Sequence, residues 1–396
     1  MPKKKILIVF GTRPEAIKMA PVVAAIEACK DLQVRVCVTA QHRQMLDDVL
    51  SVFKIRPKYD LNIMQEGQTL FHVTAEALTR MQSVLEKEKP DMMLVHGDTT
   101  TAFAATLAAF YLKIPVGHVE AGLRSHDLTQ PFPEEANRVL ADRLCELYFA
   151  PTTTAKKALL RENVPPARIT VTGNTVIDAL NYTLRQAHVV IPAKAGIQPI
   201  TNGFPIKTFG NDDGEAKLVL ITAHRRENFG KPFERIFSAL RRSALENPDV
   251  QFVYPVHSNP NVQKPAKRFL SGLKNFLLLE PINYPDMAAL MQRARFVITD
   301  SGGIQEEAPS LGKPVLVLRN VTERPEAVKA GTVKLVGSDE KMIITWINHL
   351  LIDSKVYREM SRAHNPYGDG KAATRIAEAI RHHFKLTNKP PISFKG

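Results

Sequence analysis

The sequence predicts an α/β protein built from two units in series, each about the size of a nucleotide-binding domain. Three observations lead to this fold class. The 396 residues fit two domains of ordinary size. Short runs of β-branched and other apolar residues alternate with longer stretches of helical periodicity, which is typical of a parallel sheet covered on both faces. The alternation also starts a second time, after an interruption near the middle of the chain.

The first unit is expected to hold six strands with helices between them. Apolar residues recur at helical spacing over 16–28 and 70–85, so both stretches are predicted to be helices. Its strands are predicted at residues 5–10, 34–39, 92–95, 115–120, 147–150 and 169–172. Six more are predicted in the second unit, at 217–223, 250–256, 276–280, 295–299, 314–318 and 333–336.

The boundary between the units is predicted within 187–215, which contains three prolines and four glycines and has no clear period. This segment is expected to be a linker or a surface insertion, because a long surface loop costs little free energy. The first domain is therefore expected over 1–186 and the second over 216–365. A helix is predicted near the C-terminus, and the last residues, 387–396, are expected to form a flexible tail.

Composition excludes several classes of protein. A hydrophobic fraction of 44% is too high for a disordered chain. No run approaches the roughly 18–20 apolar residues that span a bilayer. The N-terminal apolar run is too short for a secretory signal, so a soluble, cytoplasmic protein without membrane insertion is expected. Three cysteines without a CxxC pattern provide neither a disulfide framework nor metal-ligand spacing.

The net charge of +13 raises the question of nucleic-acid binding. Nine basic and only three acidic side chains lie in the last 42 residues, and the rest of the chain has no basic stripe interleaved with aromatic residues. A solvated tail together with a site for an anionic small molecule explains the charge more simply, so no nucleic-acid partner is expected.

Ligands of open α/β sheets bind where strands end and helices begin, so the residues after each predicted strand are the candidates for a site. GTRPEAIK follows the first strand, and Arg13 and Lys18 bring cations to a helix N-terminus that could bind an anion. A plain strand-to-helix turn with exposed cations is an equally fair interpretation of this motif.

Three carboxylates occupy comparable positions further along. Asp98 follows the third strand, Glu120 ends the fourth, and Glu134 opens the next helix. A helix cap explains Asp98 about as well as catalysis does, and the helix dipole alone could account for Glu134. Because the three turns share one edge of one sheet, an acidic cluster is nevertheless predicted, whose members shift one another's pKa as proton transfer requires.

The second unit supplies candidates for binding phosphate. His224 follows its first strand, and the two arginines that adjoin it favour a phosphate-facing group over a polar loop with a surface histidine. Ser301, Gly302 and Gly303 lie at a strand-to-helix junction, where backbone N–H groups could approach a diphosphate. Glu307, one turn into that helix, is placed to accept hydrogen bonds from ribose hydroxyls.

Several common sites are missing from the sequence. There is no GxxxxGK[ST], HExxH or GxSxG motif. Residues 368–373 match GxGxxA, but they do not follow a predicted strand, so the match fails its structural context. A bound nicotinamide cofactor is therefore not expected.

Nine motifs follow one another from Gly11 to Ala372: GTRPEAIKMAP, TAQHRQMLDDVL, HGDTTT, HVEAGLRS, PFPEEANR, TGNTVIDAL, TAHRREN, TDSGGIQEEAPSLGKPVLVLR and NPYGDGKA. Together they strongly resemble the non-hydrolysing UDP-N-acetylglucosamine 2-epimerases. The resemblance implies a GT-B-like pair of Rossmann-like domains with the substrate in the cleft between them, a C-terminal helix at about 366–386 that crosses back to the first domain, and a homodimer. The implied reaction interconverts UDP-N-acetylglucosamine and UDP-N-acetylmannosamine, for surface polysaccharide synthesis.

The chemistry of that reaction matches the residue types found. No carbonyl activates the hydrogen on C2 of the sugar, and transient oxidation would need the nicotinamide site that the sequence lacks. Expulsion of UDP as C2 loses its proton, followed by re-addition, needs cations on the diphosphate and acid–base groups around the sugar. By resemblance, the nucleotide would be held by Arg13, His224, Ser301, Gly302, Gly303 and Glu307, and the catalytic groups would be Lys18, Asp98, Glu120, Glu134 and His224. Arg138 is added to the substrate-binding set, and no metal or other cofactor is expected.

The resemblance also implies activation by substrate at a second pocket. The candidate residues are Gln41, His42, Gln44, Gln68 and His257. A polar helix start explains QHRQ equally well.

Three alternatives stay open at this point. A hydrolysing relative would release N-acetylmannosamine and UDP with the same residues. A GT-B glycosyltransferase would use the same nucleotide site, but an acceptor site needs one base rather than three acids. A basic nucleic-acid binder is the alternative without enzymatic activity.

Overall fold

The computed structural model describes residues 2–40, 43–65, 67–190, 217–322 and 324–395. The chain divides into two compact units. Unit 1 comprises Met1–Tyr182 together with Tyr367–Gly396, and unit 2 comprises Thr183–Pro366. Each unit contains one sheet in which every pair of neighbouring strands is parallel, so the prediction of two α/β domains with parallel sheets is confirmed.

The sheet of unit 1 has seven strands in the order β3-β2-β1-β4-β5-β6-β7. They are β1 Lys4–Phe10, β2 Leu32–Val38, β3 Tyr59–Asp60, β4 Met92–His96, β5 Val116–Val119, β6 Leu147–Ala150 and β7 Ile169–Val171. All but β3 were predicted from the sequence. The interior strand β1 is fully buried from Ile6 to Phe10, because helices cover both faces of a parallel sheet.

The helices of unit 1 connect these strands. They are α1 Arg13–Glu27, α2 Arg43–Val52, α3 Leu70–Glu88, α4 Thr100–Tyr111, α5 Glu134–Leu144, α6 Thr153–Arg161 and α7 Thr175–Val190. Side chains of Thr69, Thr99 and Thr152 accept a backbone N–H at the starts of α3, α4 and α6, which satisfies a donor that each helix leaves unpaired. The boundary of unit 2, Thr183, falls inside α7.

Unit 2 repeats the architecture with six strands in the order β10-β9-β8-β11-β12-β13. The strands are β8 Leu218–Thr222, β9 Gln251–Pro255, β10 Phe276–Leu279, β11 Phe296–Thr299, β12 Val315–Val317 and β13 Val333–Leu335. Its helices are α8 Lys231–Glu246, α9 Pro260–Leu270, α10 Tyr284–Arg293, α11 Gly302–Ser310, α12 Pro325–Ala330, α13 Glu340–Ile352 and α14 Ser354–Arg362. All six predicted strands are present.

The C-terminal helix α15, Ala372–His383, belongs to unit 1 and packs against α1. The carboxylate of Asp178 in α7 accepts the backbone N–H groups of Ala372 and Ala373, at 3.2 and 2.9 Å, and so caps the helix from a distant part of the chain. The residues that follow differ from the expected flexible tail. Phe394 is buried, and its N–H donates to the carbonyl of Val171 at 2.7 Å.

The predicted linker 187–215 lies mostly outside the described residues. Its first four residues are the end of α7, so helix continues beyond the predicted domain end at 186. Within the described part of the chain, no helix is both long and apolar enough to cross a bilayer.

Candidate active site

The functional candidates of unit 1 follow the carboxyl ends of three adjacent strands, β1, β4 and β5. Gly97 and Glu120 both adopt left-handed backbone conformations there, with φ of +65° and +68°. Glycine tolerates this region, but a residue with a side chain is destabilised in it by roughly 1–2 kcal/mol. The strained backbone of Glu120 directs its carboxylate into a group of buried polar side chains, which is typical of a functional position.

The Glu120 carboxylate is held by two donors from different elements. Its Oε1 accepts from Nζ of Lys18 on α1 at 2.5 Å and from Nδ2 of Asn174 at 2.8 Å. The Lys18 and Glu120 side chains are only 13% and 9% exposed. Because little solvent screens this pair, the two charges interact more strongly than a surface pair would.

His96, the last residue of β4, lies beside the same carboxylate. Its Nε2 is 3.6 Å from Oε2 of Glu120, and neither ring nitrogen has a hydrogen-bond partner among the described residues. Burial lowers the pKa of His96 to about 3; Glu120 opposes the shift, whereas Lys18 and His118 add to it. The imidazole is therefore neutral around pH 7 and contacts the acid without carrying charge.

Asp98 forms an ion pair on the neighbouring turn. Its Oδ2 is 2.6 Å from Nη2 of Arg138 on α5. Burial raises the pKa of Asp98 above its ordinary value; Arg138 opposes the shift, and the charges of Glu120 and Glu134 increase it. The predicted acids thus interact electrostatically in the structure, although their catalytic roles remain predictions.

The buried carboxyl group of Glu15 connects the turn after β1 to the turn after β4. Its Oε2 accepts the N–H groups of Gly11 and Thr12 at 3.0 and 2.8 Å, and its Oε1 accepts the hydroxyl of Thr99 at 2.7 Å. Burial raises the pKa of Glu15, and these hydrogen bonds oppose the shift. One buried carboxyl group therefore ties the start of α1, where half-buried Arg13 lies, to the turn that carries Asp98.

In unit 2, Asp300 fixes the turn that bears His224. The fully buried carboxylate accepts the N–H groups of His224 and Arg225, each at 2.9 Å, and Nδ2 of Asn228 at 3.0 Å. Burial lowers the pKa of His224; Asp300 opposes the shift, and His257 and Arg225 add to it. The His224 side chain remains 40% exposed, so a ligand can reach it.

The turn after β11 has the geometry expected of an anion site. Ser301 is the N-cap of α11, and Gly302 and Gly303 are its first two residues. The Arg324 guanidinium lies over this turn: a Cβ on Gly302 would be 2.6 Å from its Nη1. Arg324 also donates from Nε to Glu306 at 2.6 Å. A helix N-terminus, backbone N–H groups and a guanidinium together favour a phosphate.

Two further residues of unit 2 that were predicted from the sequence contact neighbouring side chains. Glu307 is buried on α11, and its Oε1 accepts the hydroxyl of Tyr284 at 2.7 Å. The rings of His257 and His224 stack with centroids 5.4 Å apart. His257, predicted for the second pocket, is thus in contact with a residue predicted to bind the nucleotide.

The remaining candidates for the second pocket are only partly described. Gln41 and His42 lie outside the described residues. Gln44 is in α2, and Gln68 precedes α3, where its Oε1 accepts the N–H of Gln65 at 3.4 Å.

Several residues that contribute to these groups were not predicted from the sequence. They are Glu15, His96, His118, Asn174, Asp300 and Arg324. A usable signal existed for three of them. A histidine precedes both Asp98 and Glu120 by two positions, and Glu15 follows Thr12 at the spacing of a capping box.

Comparison with known proteins identifies the family. The family model described as UDP-N-acetylglucosamine 2-epimerase matches residues 24–381. This chain belongs to the UDP-N-acetylglucosamine 2-epimerase family. The match runs through both units and includes all of the groups described above except the start of α1.

Individual relatives are similar to this chain over nearly their full lengths. The UDP-N-acetylglucosamine 2-epimerase of Escherichia coli K12 is 54% identical over 379 residues, which are 96% of this chain and 99% of the relative. A crystal structure of the Neisseria meningitidis epimerase bound to UDP-GlcNAc is 50% identical with a TM-score of 0.86, covering 96% of this chain and 100% of that one. The Methanocaldococcus jannaschii epimerase in complex with UDP-GlcNAc and UDP is 35% identical with a TM-score of 0.74, covering 96% and 99%.

Within the described residues, no three His, Cys, Asp or Glu side chains are grouped as ligands of a metal ion would be. The expectation that the reaction needs no metal or other cofactor stays a prediction.

Proposed function

We propose that this protein interconverts UDP-N-acetylglucosamine and UDP-N-acetylmannosamine without net hydrolysis. Membership of the 2-epimerase family supports the substrate and the inversion at C2. The observation that carries the proposed mechanism is the acid–base group of unit 1. There Asp98 and Glu120 each pair with a cation, and the neutral His96 lies beside Glu120.

The two units would perform different parts of the reaction. In unit 2, His224, the turn of Ser301 to Gly303, and Arg324 would hold the diphosphate, and the charge of UDP would be stabilised as it leaves C1. Glu307 would accept hydrogen bonds from the ribose.

Unit 1 would act on the sugar. One carboxylate, Asp98 or Glu120, would take the proton from C2 while the C1–O bond breaks, which leaves a glycal-like intermediate. A proton would then return to the opposite face of C2, and UDP would add back to C1. The raised pKa of Asp98 suits a group that must both take up and release a proton.

Exclusion of water would distinguish this enzyme from a hydrolysing one. An intermediate that meets water loses its UDP permanently. The low exposure of Lys18, Glu120 and His96 supports retention of the intermediate, since these groups are 13% exposed or less.

Incubation with UDP-N-acetylglucosamine in deuterated water, followed by proton NMR, tests the proposal. We expect UDP-N-acetylmannosamine that carries deuterium at C2, with free UDP at only trace level. Product without deuterium at C2 would rule out exchange of that proton with solvent. Free UDP in amounts equal to the sugar released would instead identify a hydrolysing enzyme.

Three further features are part of the proposal. The enzyme would act as a homodimer in the cytoplasm. Substrate would activate the enzyme at a second pocket that includes Gln44 and His257. The contact between the rings of His257 and His224 supports a connection between that pocket and the nucleotide site.

A further inference from the structure

His118 on β5 is fully buried, and both of its ring nitrogens are occupied. Its Nδ1 is 2.6 Å from Oδ1 of Asp142 on α5, and its Nε2 is 2.7 Å from the carbonyl oxygen of Gly97. A carbonyl oxygen and an ionised carboxylate can only accept hydrogen bonds. Both ring nitrogens must therefore carry a proton, which makes the ring an imidazolium.

The charges next to Asp142 favour a positive ring. Arg124 donates from Nη2 to Asp142 Oδ2 at 2.7 Å and pairs with Glu162 through Nε at 2.6 Å. Arg143 also lies 3.8 Å from Glu162, so the network contains two carboxylates and two guanidiniums in addition to His118. The side chains of Arg124 and Asp142 are only 2% and 1% exposed, whereas Glu162 and Arg143 are 21% and 56% exposed. The buried carboxylate of Asp142 is therefore stabilised mainly by the two groups that face it directly, Arg124 and His118.

The bond from His118 acts on the backbone next to a proposed catalytic group. Gly97 donates its N–H to the carbonyl of Val119 at 2.9 Å and accepts from His118 at its own carbonyl, so β5 holds both backbone polar groups of Gly97. The next residue is Asp98, whose own carbonyl accepts from Nδ2 of Asn137 at 3.0 Å. The position of the Asp98 carboxylate therefore depends on a turn anchored by His118.

We propose that His118 is a positioning residue that works as an imidazolium at neutral pH. It donates one ring proton to Asp142 and the other to the carbonyl of Gly97. In this way it holds Asp98 in place for proton transfer and keeps a positive charge behind the acid–base group. The inference rests on the proposed function of Asp98, but the protonation state of His118 does not.

The groups that face His118 determine its response to pH. Asp142 faces it from α5, Arg124 from the segment after β5, and the Gly97 carbonyl and His96 from the β4 side. Burial disfavours the charged ring, but the charge and hydrogen bond of Asp142 and the Gly97 carbonyl outweigh it and raise the pKa of His118. Because folding raises the pKa of His118, the stabilisation that its charged ring provides is complete below about pH 6.5. It is lost as the pH rises through the pKa of His118 in the folded state.

Nitrogen NMR of the wild-type enzyme labelled with ¹⁵N-histidine tests the charge directly. As the pH rises from 6 to 9, we expect one of the twelve histidines to keep both ring protons after the others have lost one. The signal should be absent from the His118→Gln spectrum. If every histidine is neutral at pH 7.5, the imidazolium is excluded, whether or not the enzyme is active.

Kinetics test the positioning role. Glutamine can replace only one of the two hydrogen bonds, so His118→Gln should lower kcat by about 100-fold, as expected for a misplaced catalytic group, and leave UDP affinity nearly unchanged. Retained UDP affinity also shows that the variant is folded. The exposed His349→Gln is the matched control and should behave as wild type.

A second variant separates positioning from simple packing. Asp142→Asn removes the anion that favours the imidazolium, so the loss of kcat at alkaline pH should begin at lower pH than in the wild type. An unchanged pH profile, or an equal loss of kcat and UDP affinity in His118→Gln, would overturn the inference. If the wild type itself fails to epimerise, the proposed function fails, and the NMR result for His118 still stands.

Discussion

Two histidines of the same sequence pattern have opposite protonation states. His96 and His118 each stand two positions before a proposed catalytic carboxylate. His96 lies in a pocket where the described residues offer its ring nitrogens no partner, and burial keeps it neutral. His118 faces an acceptor at each nitrogen and is charged. The sequence could indicate the spacing, but protonation depends on partners such as Asp142, which lies 24 positions away.

Asp300 offers a test of how one residue organises the nucleotide site. Asp300→Asn replaces a carboxylate that accepts three donors by an amide with one acceptor oxygen, and in either orientation its NH₂ group faces the N–H of His224. The turn of His224 should move, with a stability loss of about 1–3 kcal/mol and an affinity for UDP at least about tenfold weaker. Calorimetric titration with UDP and urea unfolding measure the two effects.

A matched control for this variant is Asp286→Asn, which changes an exposed residue at the start of α10. It should retain both UDP affinity and stability. Unchanged UDP binding in Asp300→Asn would show that the His224 turn does not depend on this carboxylate.

At the scale of elements, all twelve predicted strands are present, because a buried parallel strand leaves a continuous apolar run in the sequence. The strand that was missed, Tyr59–Asp60, has two residues at a sheet edge and no such run. The attachment of Phe394 was also missed. A single aromatic residue in a polar segment does not indicate which part of the chain it will contact. The hydrogen bond from the N–H of Phe394 to the carbonyl of Val171 forms only once the rest of unit 1 has folded.

Asp178, the cap of α15, makes stability depend on pH. Burial raises its pKa to about 6, and the N–H groups of Ala373 and Ala372 oppose the shift. The folded state therefore binds the proton more tightly than the unfolded chain. The stabilising contribution is complete below about pH 4 and is lost as the pH rises to about 6, by at most about 3 kcal/mol.

Replacement by asparagine, which does not titrate, isolates this effect. The unfolding free energy of the wild type relative to Asp178→Asn should fall between pH 4 and pH 6.5, as followed by urea denaturation. Asp48→Asn, an exposed change on α2, should give a curve parallel to the wild type. Parallel curves for Asp178→Asn as well would contradict the role of this carboxyl group.

At the scale of the whole molecule, the chain divides its polar groups between two units of the same architecture. The proposed catalytic acids Asp98, Glu120 and Glu134 belong to unit 1. The proposed nucleotide-binding groups, which are His224, the turn of Ser301 to Gly303 and Arg324, belong to unit 2. The sequence could predict this division, because ligand groups follow the carboxyl ends of parallel strands. The supporting residues Glu15 and Asp300 were not predicted. Glu15 follows Thr12 at the spacing of a capping box, but that spacing does not reveal its contact with Thr99. Asp300 has no distinctive spacing to the backbone N–H groups that donate to it.

The division of groups predicts that turnover and nucleotide binding can be separated by mutation. Glu120→Gln keeps the size and an acceptor for Lys18 but removes the charge and the proton-transfer group, so kcat should fall by about 10²–10⁴-fold with UDP affinity within about twofold of wild type. His224→Ala should weaken UDP binding by about tenfold, because it removes a ring proposed to contact the diphosphate. Calorimetry with UDP and the epimerisation assay, run on both variants, compare the two effects directly. Equal loss of UDP affinity in both would mean that Glu120 helps to hold the nucleotide, and the acid–base role proposed for Glu120 would then have to pass to Asp98 or Glu134.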